Sequence, residues 1–235
     1  MIKKIFILEK DSILFSQAMG LGAFIFGVIL MTAIARIDAE EVFQLGTLMA
    51  VLIGGLVSVG FGIFSYIQGF NQAVSMGRTR RSFVLSYMVF GAVQQILICV
   101  AIFLYYQIET AMLHVLYPDL AIDNSFAQAL DVRWAVLFVA AAAMAYSFFG
   151  ALLLKYGKKA FWVIWAFWMA GCILPGRIVE AVKEESPSVL GVVGRWIGGT
   201  AGSLTITQWL CVGIVLCIVL GIWGFRTILK QEVAI

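Results

Sequence analysis

Residues 42–81 read VFQLGTLMAVLIGGLVSVGFGIFSYIQGFNQAVSMGRTRR, and a change of character within them decides the fold. The first 36 carry no charge. A helix needs about 20 apolar residues to cross the hydrocarbon of a bilayer, so this stretch exceeds one span. Its last ten residues, Gln68 to Gly77, are built differently. Gln68, Asn71, Gln72 and Ser75 recur at i, i+3, i+4 and i+7, which draws one polar stripe along a helix. Arg78, Arg80 and Arg81 follow at once. The pattern predicts a chain that leaves the membrane, runs a short amphipathic turn or two where a cytoplasmic protein can read it, and re-enters at Phe83.

The rest of the chain has the same solvent. Hydrophobic residues make up 63% of the 235, charged residues 12%, and the mean hydropathy is +1.01. A soluble domain carries about 25% charged residues. Charge-free windows fall at 12–35, 42–77, 82–108, 134–154, 160–176 and 196–225, each near or above the length of a transmembrane helix. The expected fold is an all-α integral membrane domain covering 1–235. Its six spans are placed at about 12–35, 44–66, 83–106, 134–154, 160–175 and 205–225, with residues 67–82 as the interfacial segment between the second and third. The first window is 24 residues long with no small-residue cleavage site after it, which reads as a retained span rather than a signal peptide.

Basic residues alternate across the windows. Lys3, Lys4 and Lys10 precede the first span, Arg78, Arg80 and Arg81 follow the second, Lys155, Lys158 and Lys159 follow the fourth, and Arg226 and Lys230 follow the sixth. That places 11 of 16 basic residues on one side, with only Glu9, Asp11 and Glu232 of the 13 acids beside them. The positive side is the cytoplasmic one, so both termini are expected there. Ile5 to Leu8, set among Lys3, Lys4, Glu9 and Lys10, suit a helix lying along the inner surface. The fifth window ends at Pro175-Gly176, which suggests a helix that stops early and a bent or re-entrant connection to the sixth span.

Catalytic chemistry finds little support. His114 is the lone histidine and falls in a segment placed outside, so a metal cluster lacks partners. Cys99, Cys172, Cys211 and Cys217 lie in apolar windows without C-x-x-C spacing and read as small buried apolar residues. No G-x-x-x-x-G-K-[ST] occurs, so this chain does not itself bind ATP by that device, and no metal, cofactor or nucleic-acid partner is expected. Ion-coupled carriers place carboxylates within the membrane, and none falls near mid-span here. The polar residues that do, Gln94 and Gln95, Tyr146 and Ser147, and Thr205, Thr207 and Gln208, suit hydrogen bonds between helices or, less readily, the lining of a cavity for an amphiphilic cargo. Trp134, Trp162, Trp165, Trp168, Trp196, Trp209 and Trp223 lie near span ends, as interfacial anchors do.

The stretch Phe70 to Phe83 resembles the first cytoplasmic loop of six-span, type-2 ATP-binding-cassette exporter permeases, which carries a G-x-[ST]-R-x-x-F pattern matched by Gly77, Thr79, Arg80 and Phe83. Independently of the family, Gly77 suits a left-handed helix end, Thr79 a helix cap, and Arg80 and Arg81 a contact with acidic or lipid groups. The resemblance implies a coupling helix in which Phe70, Asn71, Gln72, Ser75, Gly77, Thr79, Arg80, Arg81 and Phe83 dock into a separate ATPase dimer that binds ATP and magnesium. It also implies a second permease chain, identical or paralogous. The expected activity is export of an amphiphilic peptide, antimicrobial, drug or lipid-like substrate across a bacterial plasma membrane. Two other classes fit the composition: a membrane scaffold or sensor, and a lipid-modifying enzyme using His114 with Asp119 or Glu109.

Overall fold

The computed structural model describes residues 9–38, 41–75, 77, 79–118, 121–123, 130–183, 191–192, 194–196, 198–199 and 205–230. The chain forms helices α1 (Lys10–Asp38), α2 (Leu45–Ser75), α3 (Arg80–Leu116), α4 (Val132–Tyr156), α5 (Lys158–Lys183) and α6 (Ile206–Lys230). Strands β1 (Glu41–Phe43) and β2 (Ala121–Asp123) form a short parallel ladder that ties the segment after α1 to the segment after α3. Among the described residues, five helices, α1 to α4 and α6, are long and apolar enough to cross a membrane. Helices are the expected answer to such a sequence, because hydrocarbon offers backbone groups no partner and a helix satisfies them internally.

Three boundaries differ from the sequence reading. Helix α2 continues past residue 66 to Ser75 without a break, so the amphipathic turns are the end of the second helix and not a separate interfacial one. Helix α3 continues past residue 106 to Leu116, and its 37 residues give a rod of about 55 Å. Helix α5 runs through Pro175 and Gly176 to Lys183, so proline does not end it. Proline removes one backbone hydrogen bond from a helix interior, and here the helix continues around it. Residues 1–8, with the expected surface helix, lie outside the described residues, as do Asp119, Pro187 and most of the connection between α5 and α6.

Helices α1 and α2 meet along glycines. A Cβ on Gly27 would lie 2.6 Å from the Cα of Gly46, and one on Gly54 would lie 3.0 Å from the Cα of Gly20. Gly20 and Gly27 are seven residues apart, whereas Gly46 and Gly54 are eight apart. The π-helical turn Ala50–Gly54 lies in that interval and takes up the extra residue, so both α2 glycines face the same seam. Helix–helix packing in lipid depends on such close approach, because water does not drive it.

The main core lies between α2, α3 and α4. Tyr66, Phe70, Phe83, Tyr87, Phe90 and Tyr146 are each at most 3% exposed, and Ile228 of α6 joins them. The rings meet edge on: Tyr66 with Phe83 at 5.1 Å, Tyr66 with Tyr87 at 5.2 Å, and Phe70 with Phe83 at 5.5 Å between centroids. The Tyr146 ring fills a notch that exists only because Gly62 on α2 and Gly91 on α3 lack side chains. A second, smaller core at the opposite end joins Met31, Val42, Leu45 and Leu113.

Candidate functional site

The polar stripe is on the surface. Gln68, Asn71, Gln72 and Ser75 are all exposed at the end of α2, and the buried side of the same turns is Tyr66, Phe70 and Ala73. Gly77 follows with φ +74° and its N–H bonded to the Val74 carbonyl at 2.9 Å, a left-handed helix end of the kind the sequence suggested. Thr79 occupies the cap position of α3, but its side chain makes no capping bond; its carbonyl accepts from Phe83 N–H instead. Arg81 is exposed. Arg80 donates to the Leu229 carbonyl at 3.2 Å, which caps the last turn of α6. Phe70 and Phe83, grouped with the docking residues in the sequence, are 3% and 2% exposed and belong to the core beneath the stripe.

Polar contacts tie this tip to the rest of the bundle at three depths along α3. Near the tip, the Tyr87 hydroxyl lies between the Glu9 carboxylate, to which it donates, and the Ser65 carbonyl at 2.8 Å. Ser12 donates to the same carboxylate at 3.0 Å, so the start of α1 is fastened to α2 and α3.

At the middle depth, Gln95 donates to Tyr146 and, at 3.2 Å, to Ser58, while Tyr146 donates to the Ser58 carbonyl at 3.3 Å. Gln94 donates to Ser16 at 3.3 Å. Gln94, Gln95, Tyr146 and Ser147 are fully buried within this one bundle, and the first three bond across helices. The structure therefore places these four in the interior and not on an open cavity wall. Thr205 and Gln208 are exposed and close a capping box on α6, the Thr205 N–H donating to the Gln208 side chain at 2.8 Å. Thr207 is exposed beside them.

At the far end, sequence reasoning missed a buried carboxylate. Glu109 is 1% exposed and accepts from Gly46 N–H, Thr47 N–H and the Thr47 hydroxyl, each at 2.7 Å. The first N–H groups of a helix have no partner within it, and a carboxylate also suits the positive end of the helix dipole. Glu109 thus caps α2 from α3. Gly46 makes this possible, since a Cβ there would stand 2.9 Å from Glu109 Oε1. About 33 Å of helix rise separates Tyr87 from Glu109, close to the thickness of bilayer hydrocarbon.

His114 is exposed about one and a half turns further along α3, and Glu109 is already committed to three donors. A groove of about 630 Å³ between α3 and α4 is lined by apolar side chains, among them Met88, Ile96, Val100, Val136 and Met144. None of the sequence-selected cavity residues lines it. No group of three or more metal-ligating side chains occurs among the described residues. No protein-family model matches the chain, and neither a curated protein nor a solved structure does.

Proposed function

We propose that the chain is the membrane-spanning permease subunit of an ATP-binding-cassette exporter, driven by a separate ATPase subunit. The observation that carries the reading is the exposed amide stripe, Gln68, Asn71, Gln72 and Ser75, at the tip of a helical hairpin whose opposite side is fully packed. Helices that merely lie on lipid put Lys or Arg on their polar face, whereas amides and a serine suit a groove in a protein. The hairpin is also built to transmit force. Helices α2 and α3 meet at the tip, where the Tyr87 hydroxyl stands 2.8 Å from the Ser65 carbonyl, and bond at mid-depth through Gln95 and Ser58 and at the far end through Glu109 and Thr47. A push on the tip therefore moves both helices as one body, a shear or rocking motion of the kind that switches access between two sides of a membrane.

In this reading six helices span a bacterial plasma membrane, with α5 as the fifth, and both termini are cytoplasmic. The start of α1 and the end of α6 lie beside the α2–α3 turn, through Glu9 with Tyr87 and Arg80 with Leu229, which favours that orientation. The chain works with a second permease chain, and ATP and magnesium bind on the ATPase dimer. The cargo is an amphiphilic peptide, antimicrobial, drug or lipid-like molecule. The test is purification from native membranes in mild detergent, with mass spectrometry of the copurifying chains and an ATPase assay. A stoichiometric P-loop ATPase is expected; a chain that copurifies only with a partner lacking nucleotide-binding motifs would favour a scaffold instead.

A further inference from the structure

The turn joining α4 to α5 is Lys155-Tyr156-Gly157-Lys158-Lys159, and all five residues are exposed. Gly157 makes the reversal with φ +56°. The Lys155 ammonium stands 5.0 Å from the centre of the Tyr156 ring, so one cation is already held against an aromatic face. No acidic residue occurs between Asp131 and Glu180, so neither α4 nor the first five turns of α5 offers the lysines an ion-pair partner. Of the acids on the same side, Glu9 is engaged by Tyr87 and Ser12, Asp11 is exposed at the start of α1, and Glu232 lies outside the described residues.

Below the cations the surface changes abruptly. Phe161, Trp162 and Trp165 are exposed, Trp162 to 62%, and their rings touch in sequence at 5.7 Å and 5.7 Å between centroids. Lys158, Trp162 and Trp165 stand at i, i+4 and i+7, which is one stripe of α5. Along that stripe the helix presents positive charge, then indole rings that are at home at the level of lipid glycerol and ester groups, then an apolar surface. This order matches the profile of a single phospholipid molecule: headgroup phosphate, glycerol, acyl chain. A zwitterionic headgroup would bring its own cation toward three lysines, whereas an anionic one brings only compensating charge.

We infer that the α4–α5 turn and the first turns of α5 bind an anionic phospholipid, with Lys155, Lys158 and Lys159 on the phosphate and Trp162 and Trp165 along the glycerol and chain. The inference rests on the proposed orientation of the chain in the membrane but not on its having an ATPase partner. In the test, the full chain is placed in nanodiscs of phosphatidylcholine, and tryptophan fluorescence is quenched by phosphatidylglycerol or phosphatidylcholine carrying brominated acyl chains. The anionic lipid is expected to occupy the quenching sites about fivefold in preference to the zwitterionic one, a preference lost in high salt. The variant K155Q/K158Q/K159Q should reduce it to less than about twofold, while K155R/K158R/K159R keeps it. Equal quenching by the two lipids in the wild-type chain, or an undiminished preference in the glutamine variant, overturns the inference. If the glutamine variant does not insert, the wild-type comparison with and without salt decides. A chain that prefers the anionic lipid but has no ATPase partner would keep this inference and lose the permease reading.

Discussion

The carboxylate of Glu109 receives both the backbone N–H and the hydroxyl of Thr47 at 2.7 Å, joining α3 to the first turn of α2 across 62 residues of sequence. Helix ends buried in protein need such a partner, and α2 has no side-chain cap of its own at Gln44. Removing the carboxylate strands three donors in a region where none reaches water. Glu109→Ala should therefore lower the stability of the detergent-solubilised chain by about 3 kcal/mol, with Glu109→Gln costing about half as much because one oxygen still accepts. Thermal unfolding followed by circular dichroism measures both. A Glu109→Ala chain as stable as the wild type would show that the contact carries no load.

The notch for Tyr146 gives a sharper steric test. A methyl group on Gly62 or Gly91 would collide with the Tyr146 ring, whereas Gly60, two residues from Gly62, has nothing within 4 Å. Overpacking of this kind costs about 1–3 kcal/mol. Gly91→Ala and Gly62→Ala should each lower the melting temperature, and Gly60→Ala, the same substitution two residues from Gly62, should leave it unchanged or slightly raised.

Residues at the tip divide by the side of the helix they occupy. Gln68→Ala, Asn71→Ala, Gln72→Ala and Ser75→Ala alter only exposed groups, so each should leave insertion and melting temperature within about 0.5 kcal/mol of the wild type while weakening stimulation of the partner ATPase. Phe70→Ala and Phe83→Ala empty core positions and should cost about 3–5 kcal/mol of stability. Measuring both quantities for every variant separates docking residues from core residues. A loss of stability without loss of stimulation in the first set would contradict the assignment.

The turn itself is tested by Gly77→Pro and Arg80→Glu. Proline cannot adopt the φ of +74° found at Gly77, and a glutamate at position 80 would face the Leu229 carbonyl that Arg80 now caps. Both variants should reach the membrane at normal levels, as judged by fractionation, with transport or ATPase stimulation lost. Unchanged transport in both would remove the turn from the mechanism.

How far the sequence could be read depended on whether a feature is local. The apolar helices and the exposed amide stripe follow from hydropathy and the 3.6-residue period, and both are present. Phe70 sits in sequence among the docking residues but lies about half a turn from Gln68 and Gln72, and the spacing Tyr66, Phe70, Ala73 marks it as core. The Glu109 cap was not legible in this way, because its partners are backbone N–H groups 62 and 63 residues away, which leave no pattern in the side chains. Its charge closes the apolar window at 108, whereas the helix continues to Leu116. The π turn at Ala50–Gly54 also had no local signal, and only the unequal glycine spacings on the two helices expose its purpose. Pro175 is the opposite case: its ring and missing N–H mark a local break, yet the helix continues through it to Lys183.

The central claim is that the exposed stripe at the end of α2 rests in a groove of an ATPase. A photo-crosslinking amino acid placed at Gln72, an exposed position whose replacement disturbs no packing, tests it in native membranes. The account predicts a crosslink to a P-loop ATPase that changes in yield when ATP is trapped or hydrolysed. A crosslink only to lipid, or to a protein without a nucleotide-binding site, would contradict it.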